Sequence, residues 1–307
     1  MNLYLPIAEM SVSVFVMLGM GASVGFLSGL FGVGGGFLLT PLLMFAGIPT
    51  AVAVGTAPAQ VVASSVSGAL AQWRRGNVDI KLGSILVLGG VIGSFVGVHL
   101  VSVLRRSGQF DVFVSLTYVT LLGVVGVLML IESLRTLQRA KAGGSSSLRR
   151  SGQHNWSHGL PFKMRFQRSK LYISALPPMM LGAFVGLLAA IMGVGGGFLI
   201  VPAMIYLLHV PTNVVVGTSQ FQIIFVTAVT TILNATNSQS VDVVLALLLM
   251  IGGVIGAEIG AAAGERLRGE QLRFLLALLV LAVCARVGWD LVTTPFDLYS
   301  IQSTEGT

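Results

Sequence analysis

A glycine-rich motif that occurs twice in this 307-residue chain is the clearest candidate for chemistry. It reads Gly-Val-Gly-Gly-Gly-Phe-Leu from Gly32 and again from Gly193, and a short apolar segment follows each copy. Glycine leaves the backbone N–H groups at a helix start uncovered, and these donors favour an anion together with the positive end of the helix dipole. The motif therefore predicts anion binding by Gly34, Gly35, Gly36, Gly195, Gly196 and Gly197. The alternative is that these glycines only let two helices pack closely.

A threonine and a glutamine follow each motif at matching positions inside an apolar segment: Thr56 with Gln60, and Thr218 with Gln222. A hydroxyl or amide group in hydrocarbon needs hydrogen-bond partners, so we expect these four side chains to face the protein interior. There they would donate hydrogen bonds to the oxygens of a bound substrate. The alternative is that they hydrogen-bond neighbouring helices, with a contribution of about 1 kcal/mol each.

The composition places these residues in a membrane protein. Of the 307 residues, 54% are hydrophobic and 9% are charged, whereas soluble domains have about 25% charged residues. The mean hydropathy is +0.90. Such a chain has too few charges to cover a water-exposed surface, which excludes a soluble enzyme and indicates a polytopic helical membrane protein.

Charged residues inside apolar segments are costly and are functional candidates by default. Glu258 is a candidate proton carrier, and the alternative is a carboxyl group satisfied by a neighbouring helix or reaching the membrane surface. Arg286 is a candidate for neutralising an anion in transit. It lies one helical turn from Asp290, so a structural ion pair between the two is the interpretation we favour.

The elements that position these residues are membrane segments, since about 20 apolar residues cross a bilayer as a helix. Two of the predicted segments are too short for a straight crossing and follow the glycine motifs, which predicts half-helices or broken helices at 34–47 and 196–209. The ten predicted segments are 7–31, 34–47, 50–72, 83–104, 111–131, 171–191, 196–209, 213–236, 243–263 and 272–293.

A basic segment divides the chain. Nine of the 18 Lys and Arg residues lie between Glu132 and Lys170, and such a loop is expected on the cytoplasmic side. With five segments on either side of it, both termini would lie outside. The predicted organisation is an N-terminal repeat at 1–132, a basic cytoplasmic loop at 133–170, a C-terminal repeat at 171–294 and a tail at 295–307.

The two halves are copies of one unit. Residues of the first half recur in the second at an offset of 161 to 163 positions, which indicates a duplication. Five segments per unit is an odd number, so the second copy would enter the membrane from the opposite side. The predicted fold is an all-α polytopic membrane protein with two inverted structural repeats and broken Gly-rich helices, the usual architecture of secondary transporters. The matching residues include Pro41 and Pro202, Gly55-Thr56 and Gly217-Thr218, Val78-Asp79 and Val241-Asp242, and the glycine clusters that start at Gly89 and Gly252.

At both copies of the glycine motif and the prolines downstream of them, the sequence resembles the sulfite exporter TauE/SafE family of membrane proteins, over nearly the whole chain. The resemblance implies a multi-helix transporter of sulfur-containing anions such as sulfite and organosulfonates. Together with the inverted repeats and the glycine motifs, this predicts a secondary transporter that binds its substrate between the two repeats near the Gly-rich helix starts. The resemblance also implies an integral protein of the prokaryotic cell (inner) membrane. It fixes neither the particular anion nor the direction of transport, and proton coupling is one option.

Other functional classes receive less support from the residues. The chain has no Gly-x-x-x-x-Gly-Lys-Ser/Thr nucleotide-binding loop and no protease or esterase motif, so neither ATP-driven transport nor catalysis is expected, and no catalytic residue is assigned. The single cysteine, Cys284, offers no disulfide, metal or redox pair, and neither a metal site nor a cofactor is expected. An anion channel and a non-transporting subunit of a complex remain alternatives. The expected partners are a small anion, the lipid bilayer and, as an open option, further copies of the chain, but not nucleic acid.

Overall fold

The computed structural model describes residues 2–31, 34–141, 163–166, 168–169, 171–208, 210–264 and 269–293. The predicted tail 295–307 lies outside these residues, as does most of the predicted basic loop after residue 141. The described part is almost entirely helical, which confirms the prediction of an all-α polytopic membrane protein.

Each half of the described chain contains one β-hairpin followed by five helices. In the first half these are β1 (Asn2–Leu5), β2 (Met10–Ser13), α1 (Val14–Phe31), α2 (Gly36–Phe45), α3 (Thr50–Arg74), α4 (Ile80–Arg106) and α5 (Phe110–Lys141). In the second half they are β3 (Lys163–Phe166), β4 (Leu171–Ser174), α6 (Leu176–Met192), α7 (Gly197–Tyr206), α8 (Thr212–Asn237), α9 (Val243–Gly264) and α10 (Gly269–Val292).

Six helices of the described residues are long and apolar enough to cross a bilayer, judged by length and composition. Helix α3 is long enough, with 25 residues, but is not among them. Its buried face carries polar side chains, which fits a helix surrounded by other helices rather than by lipid. The six are Val14–Phe31, Ile80–Arg106, Phe110–Ile131, Val214–Asn237, Val243–Gly264 and Phe274–Val292.

The two hairpins correct the predicted starts of two segments. The first predicted segment begins at residue 7, but α1 begins at Val14, and the segment predicted from residue 171 begins as a helix only at Leu176. The residues before each helix pair as antiparallel strands, Asn2 with Ser13 and Lys163 with Ser174. Each hairpin buries apolar side chains against the helices, namely Leu5 and Val12 in the first and Phe166 and Ile173 in the second.

Helix α5 extends ten residues past the end of its predicted segment at 131. The added residues are mostly good helix formers, with neither glycine nor proline before Gly143. The other predicted segments agree with the helices to within a few residues at each end.

Glycines set close and parallel contacts between the halves. Helix α1 packs on α9, and α4 packs on α6. Residue numbers rise together along both contacts, so the helices of each pair run parallel. At several of these glycines a Cβ atom would overlap a backbone carbonyl of the partner helix, which is the close approach that small residues allow. The facing positions are Gly21 with Leu249, Gly25 with Gly253, Gly29 with Ala257, Gly89 with Met179, Gly93 with Ala183 and Gly186 with Gly90.

Two other helix pairs between the halves run antiparallel. On α3 and α8, Gly68 faces Gln220 and Gly217 faces Gln72. On α5 and α10, a Cβ at Gly123 would lie 3.5 Å from Cys284 Sγ, and Gly126 faces Leu281. Residue numbers therefore rise in one helix as they fall in the other.

These directions fix the path of the chain. Helices α1, α3, α5 and α9 begin at one face of the bundle, which we call the terminus face because β1 and β2 lie there. Helices α4, α6, α8 and α10 begin at the opposite face, which we call the loop face. Since α1 and α3 both begin at the terminus face, α2 must return to the face from which α1 entered.

The short helices therefore form re-entrant hairpins with the helices before them. A Cβ at Gly35 would lie 2.8 Å from Ser28 Cβ and 2.9 Å from the carbonyl oxygen of Val24, so the chain turns back along α1. Gly196 likewise faces Val185 of α6. Helices α2 and α7 have ten residues each, or about 15 Å, which is half of a hydrocarbon core of about 30 Å.

Candidate functional site

The two glycine turns converge at the crossing of α3 and α8. A Cβ at Gly34 would lie 3.4 Å from Ile223 Cδ1 and 3.5 Å from both Ser65 Oγ and Val61 Cγ1. A Cβ at Gly195, in the other turn, would lie 2.7 Å from Val61 Cγ1 and also contact Ile223. Both turns thus contact the same two side chains halfway along the central helices.

The starts of the short helices also contact each other directly. A Cβ at Gly36 would overlap the carbonyl oxygen of Val194 in the opposite turn. The rings of Phe37 and Phe198, which occupy matching positions of the two motifs, lie 5.5 Å apart between centroids and are both buried. Matching residues of the two halves therefore contact each other at this point, which we call the centre.

The backbone of both turns is one that glycine adopts readily. The φ angles are 80° and 60° at Gly34 and Gly35, and 72° and 74° at Gly195 and Gly196. Gly35 and Gly196 precede α2 and α7 and provide no side-chain cap. The first N–H groups of a helix have no partner within it, so both helix starts direct backbone donors and a positive dipole end to the centre. The N–H of Gly36 is an exception, because it donates to the carbonyl oxygen of Gly34 at 2.7 Å.

Gln60 and Gln222 lie beside this centre but point away from it, into the contacts of α3 with α9 and of α4 with α8. The Gln60 side chain packs against Gly253, and Gln222 packs 3.0 Å from the Cβ position of Gly90. Both glutamines are fully buried, and within the described chain neither amide has a hydrogen-bond partner at its oxygen or its nitrogen. Buried amides without partners are rare, because they lose their hydration without compensation.

Thr56 and Thr218 occupy a different place from the glycine turns. The hydroxyl oxygen of Thr56 accepts a hydrogen bond from the backbone N–H of Asp242 at 3.1 Å. Thr218 accepts one from the backbone N–H of Asp79 at 3.0 Å. Both threonines therefore connect the halves where α9 and α4 begin.

The charged candidates lie on the outer surface of the bundle. Glu258 is exposed on the outer side of α9, beside Ile259 and away from the glycine turns. Arg286 forms the expected ion pair with Asp290, and its guanidinium carbon lies 5.0 Å above the ring of Phe45. Neither Glu258 nor Arg286 contacts the centre.

An open groove of about 450 Å³ lies on the outer surface between α1 and α9 and does not include the glycine turns. Its lining is almost entirely apolar, which fits contact with lipid chains better than with an anion. It is lined by Ala22, Ser23, Phe26, Leu27, Ile255, Gly256 and Ile259.

Three buried residues outside the predicted set bond the two halves to each other. Asp79 and Asp242 are buried at the starts of α4 and α9, and the repeat had paired them without indicating a role. The hydroxyl of Tyr118 is buried and donates to the carbonyl oxygen of Met192 at 2.8 Å, directly before the second glycine turn. Tyr118 has no matching residue in the second half, because the residues 161 to 163 positions later, 279–281, are Leu, Val and Leu. The repeat therefore does not point to it.

No group of three His, Cys, Asp or Glu side chains that could hold a metal ion occurs among the described residues. The centre consists of the two glycine turns, the apolar side chains that contact them and the hydroxyl of Ser65.

Comparison with known proteins identifies the family. Residues 17–287 match the family described as Sulfite exporter TauE/SafE. The chain belongs to the sulfite exporter TauE/SafE family. A probable membrane transporter protein of Bacillus subtilis, YunE, is 30% identical over 284 residues, which cover 89% of this chain and 96% of that protein. A probable membrane transporter protein of Xylella fastidiosa is 30% identical over 281 residues, covering 90% and 95%. No solved structure is significantly similar.

Membership of the TauE/SafE family and the apolar helices show that the chain is an integral membrane protein and a membrane transporter, which is not an enzymatic role.

Proposed function

We propose that this TauE/SafE protein is a secondary carrier that binds a small sulfur-containing anion between its two halves. The observation that carries the proposal is the convergence of two uncapped glycine helix starts, one from each half, on the same point of α3 and α8. Each start adds backbone donors and a positive dipole end, so an anion between them would be stabilised from both halves.

The unpartnered side chains next to this point support the same site. Ser65 Oγ is buried without a partner in the described chain and lies beside Gly34. Gln60 and Gln222 carry unpaired amides at the neighbouring contacts of α3 with α9 and of α8 with α4, and these amides would have to turn toward the centre to bind an anion. A modest separation of the halves would let these donors reach an oxyanion, whose oxygens accept several hydrogen bonds at once.

We also propose that the halves are inverted repeats that move relative to each other. The reciprocal contacts support this: α1 with α9 corresponds to α6 with α4, and both pairs are parallel. The matching helices α3 and α8 are antiparallel, as are α5 and α10. An approximate two-fold axis that exchanges antiparallel helices lies perpendicular to them, hence in the membrane plane, as in other carriers built from inverted repeats.

The family name supports a sulfur oxyanion as the substrate class, and the basic segment after α5 supports a cytoplasmic loop face. Glu258 and Arg286 stay candidates for proton coupling and charge compensation. Their surface positions would require a partner from a second copy or a rearrangement of the bundle.

The test is uptake of radiolabelled sulfite, sulfoacetate and taurine into proteoliposomes, with and without a pH gradient. Saturable flux of one anion with counterflow, reduced by substitution of Gly36 or Gln60 in folded protein, is the expected result. Flux without saturation or counterflow would indicate a channel. No flux of any of the three anions from folded protein would refute the substrate class and favour the non-transporting subunit.

A further inference from the structure

Each β-hairpin is hydrogen-bonded to the opposite half through one buried aspartate. At the terminus face, the backbone N–H of Ile7 donates to Asp242 Oδ2 at 3.0 Å. At the loop face, the N–H and the hydroxyl of Ser169 donate to Asp79 Oδ2 at 3.0 and 2.8 Å. Ser169 lies 162 positions after Ile7, within the offset of the sequence repeat.

The other oxygen of each aspartate holds the start of its own helix. Asp79 Oδ1 accepts from the N–H of Leu82 at 3.2 Å, and Asp242 Oδ1 accepts from the N–H of Leu245 at 3.1 Å. Each carboxylate thus caps its own helix and fixes a hairpin at the same time. In addition, the backbone N–H of Asp79 donates to the hydroxyl of Thr218, and that of Asp242 donates to the hydroxyl of Thr56. We call the hydrogen bonds around Asp79 the loop junction and those around Asp242 the terminus junction.

Each junction joins the two halves at one face only. The terminus junction connects β1, β2 and α3 of the first half to α9 of the second. The loop junction connects Ser169 and α8 of the second half to α4 of the first. The hairpins also bury apolar side chains at these faces, with Leu5 and Phe166 fully enclosed.

We propose that the two junctions are the gates of the carrier, each closing one face of the path to the central site. The inference rests on the proposed carrier function. With both junctions formed, as here, the centre is closed to both faces. Opening one junction separates its hairpin and helix start from the opposite half and exposes the centre to that face alone. The hairpins serve as plugs held by a few hydrogen bonds, which can break and re-form while the glycine-mediated helix contacts persist.

The test measures access to the centre from each face. In a background with Cys284→Ser, a Ser65→Cys substitution places a reporter thiol beside Gly34. A membrane-impermeant thiosulfonate is applied to intact cells and to inside-out vesicles, and the rate of labelling is measured without substrate. A separate Ser107→Cys variant, whose side chain is exposed in the turn between α4 and α5, identifies which preparation presents the terminus face.

Matched substitutions weaken one junction at a time. Thr218→Val removes an acceptor of the loop junction, and Thr56→Val removes the corresponding acceptor of the terminus junction. Ser169→Ala is a milder second change at the loop junction, because the backbone bond to Asp79 remains. Thr117→Val is the control, since among the described residues its hydroxyl bonds within α5, to the carbonyl oxygen of Phe113.

We expect Thr218→Val and Ser169→Ala to raise the labelling rate at least threefold from the loop face and not from the terminus face. Thr56→Val should do the reverse, and Thr117→Val should change neither rate. Labelling rates that rise equally from both faces, or that do not change in folded variants, would overturn the proposal that the junctions are gates. Face-selective labelling without flux of any tested anion would leave the gates standing and refute the carrier proposal. Saturable flux of an anion, with labelling rates that the junction substitutions do not change, would refute only the gates.

Discussion

Replacing the two central glutamines by methionine separates binding from packing. Methionine has nearly the shape of glutamine but no amide. In the described structure both amides are fully buried and unpartnered, so Gln60→Met and Gln222→Met remove groups that only cost stability in the closed protein. If the amides serve the substrate, the same changes must weaken transport.

The magnitudes follow from the burial. An unpaired buried polar group costs about 1–3 kcal/mol, so each substitution should raise the free energy of unfolding by about that amount. A hydrogen bond to a charged ligand contributes about 1.5–3 kcal/mol, and its loss should raise KM roughly 10- to 150-fold, since about 1.4 kcal/mol corresponds to a factor of ten. Greater stability with weaker transport is the expected combination.

Two measurements on the same preparations check this. Thermal unfolding in detergent, measured by size-exclusion chromatography of samples heated to a series of temperatures, gives the change in Tm. Saturation kinetics in proteoliposomes give KM and the maximal rate. Gln109→Met is the matched control, because Gln109 is exposed in the turn between α4 and α5 and should change neither quantity.

Two results would refute the reasoning. A lower Tm for Gln60→Met and Gln222→Met would mean that the amides hold helices together. An unchanged KM in a folded, equally abundant protein would mean that they do not contact the substrate.

Three further changes test the surrounding structure. Tyr118→Phe leaves the carbonyl oxygen of Met192 without its buried donor, and should lower the free energy of unfolding by about 1–3 kcal/mol in a thermal assay; an unchanged Tm would show that this bond contributes nothing. Asp242→Ala removes the cap of α9 together with the contact to Ile7, and should lower stability by more than the roughly 1 kcal/mol typical of a lost cap, whereas Asp242→Asn should lose less. Gly253→Ala places a methyl group against the Gln60 amide, and a double-mutant cycle with Gln60→Ala should recover part of the loss; strict additivity would contradict the contact.

Much of the fold was predictable, because the lengths of the apolar segments and the positions of the glycine motifs determine where the helices begin and end. Helices α2 and α7 follow the glycine motifs at nearly the predicted positions, and their ten residues explain why those segments were too short to cross. The hairpins were not predictable. Strands of four residues are too short for a periodic pattern to distinguish them from the adjoining apolar helix, and residues 2–13 and 163–174 share little sequence.

The candidate site was predictable in part for a related reason. Duplication singled out the glycines, threonines and glutamines by their recurrence, and the structure brings the glycines of both halves together. Recurrence did not reveal that Thr56 and Thr218 bond the aspartates Asp242 and Asp79, since those contacts join residues 186 and 139 positions apart. Tyr118 has no counterpart in the second half, so no comparison of the repeats points to it.

The distribution of polar contacts between the halves explains how such a bundle can be both tight and movable. The long contacts of α1 with α9 and of α4 with α6 are made by glycines against backbone, which gives close packing with few directional bonds. Among the described residues, most of the directional hydrogen bonds between the halves lie at Asp79 and Asp242, near opposite faces, and at the second glycine turn, where Tyr118 and Thr40 donate to the carbonyl oxygens of Met192 and Gly193. Ser94 of α4 adds a bond to the carbonyl oxygen of Gly186 and accepts one from Thr230. Breaking the bonds at one face leaves the packing and the opposite face intact. One-sided opening therefore requires only a local change, and the anchored second turn can keep its helix start directed at the centre.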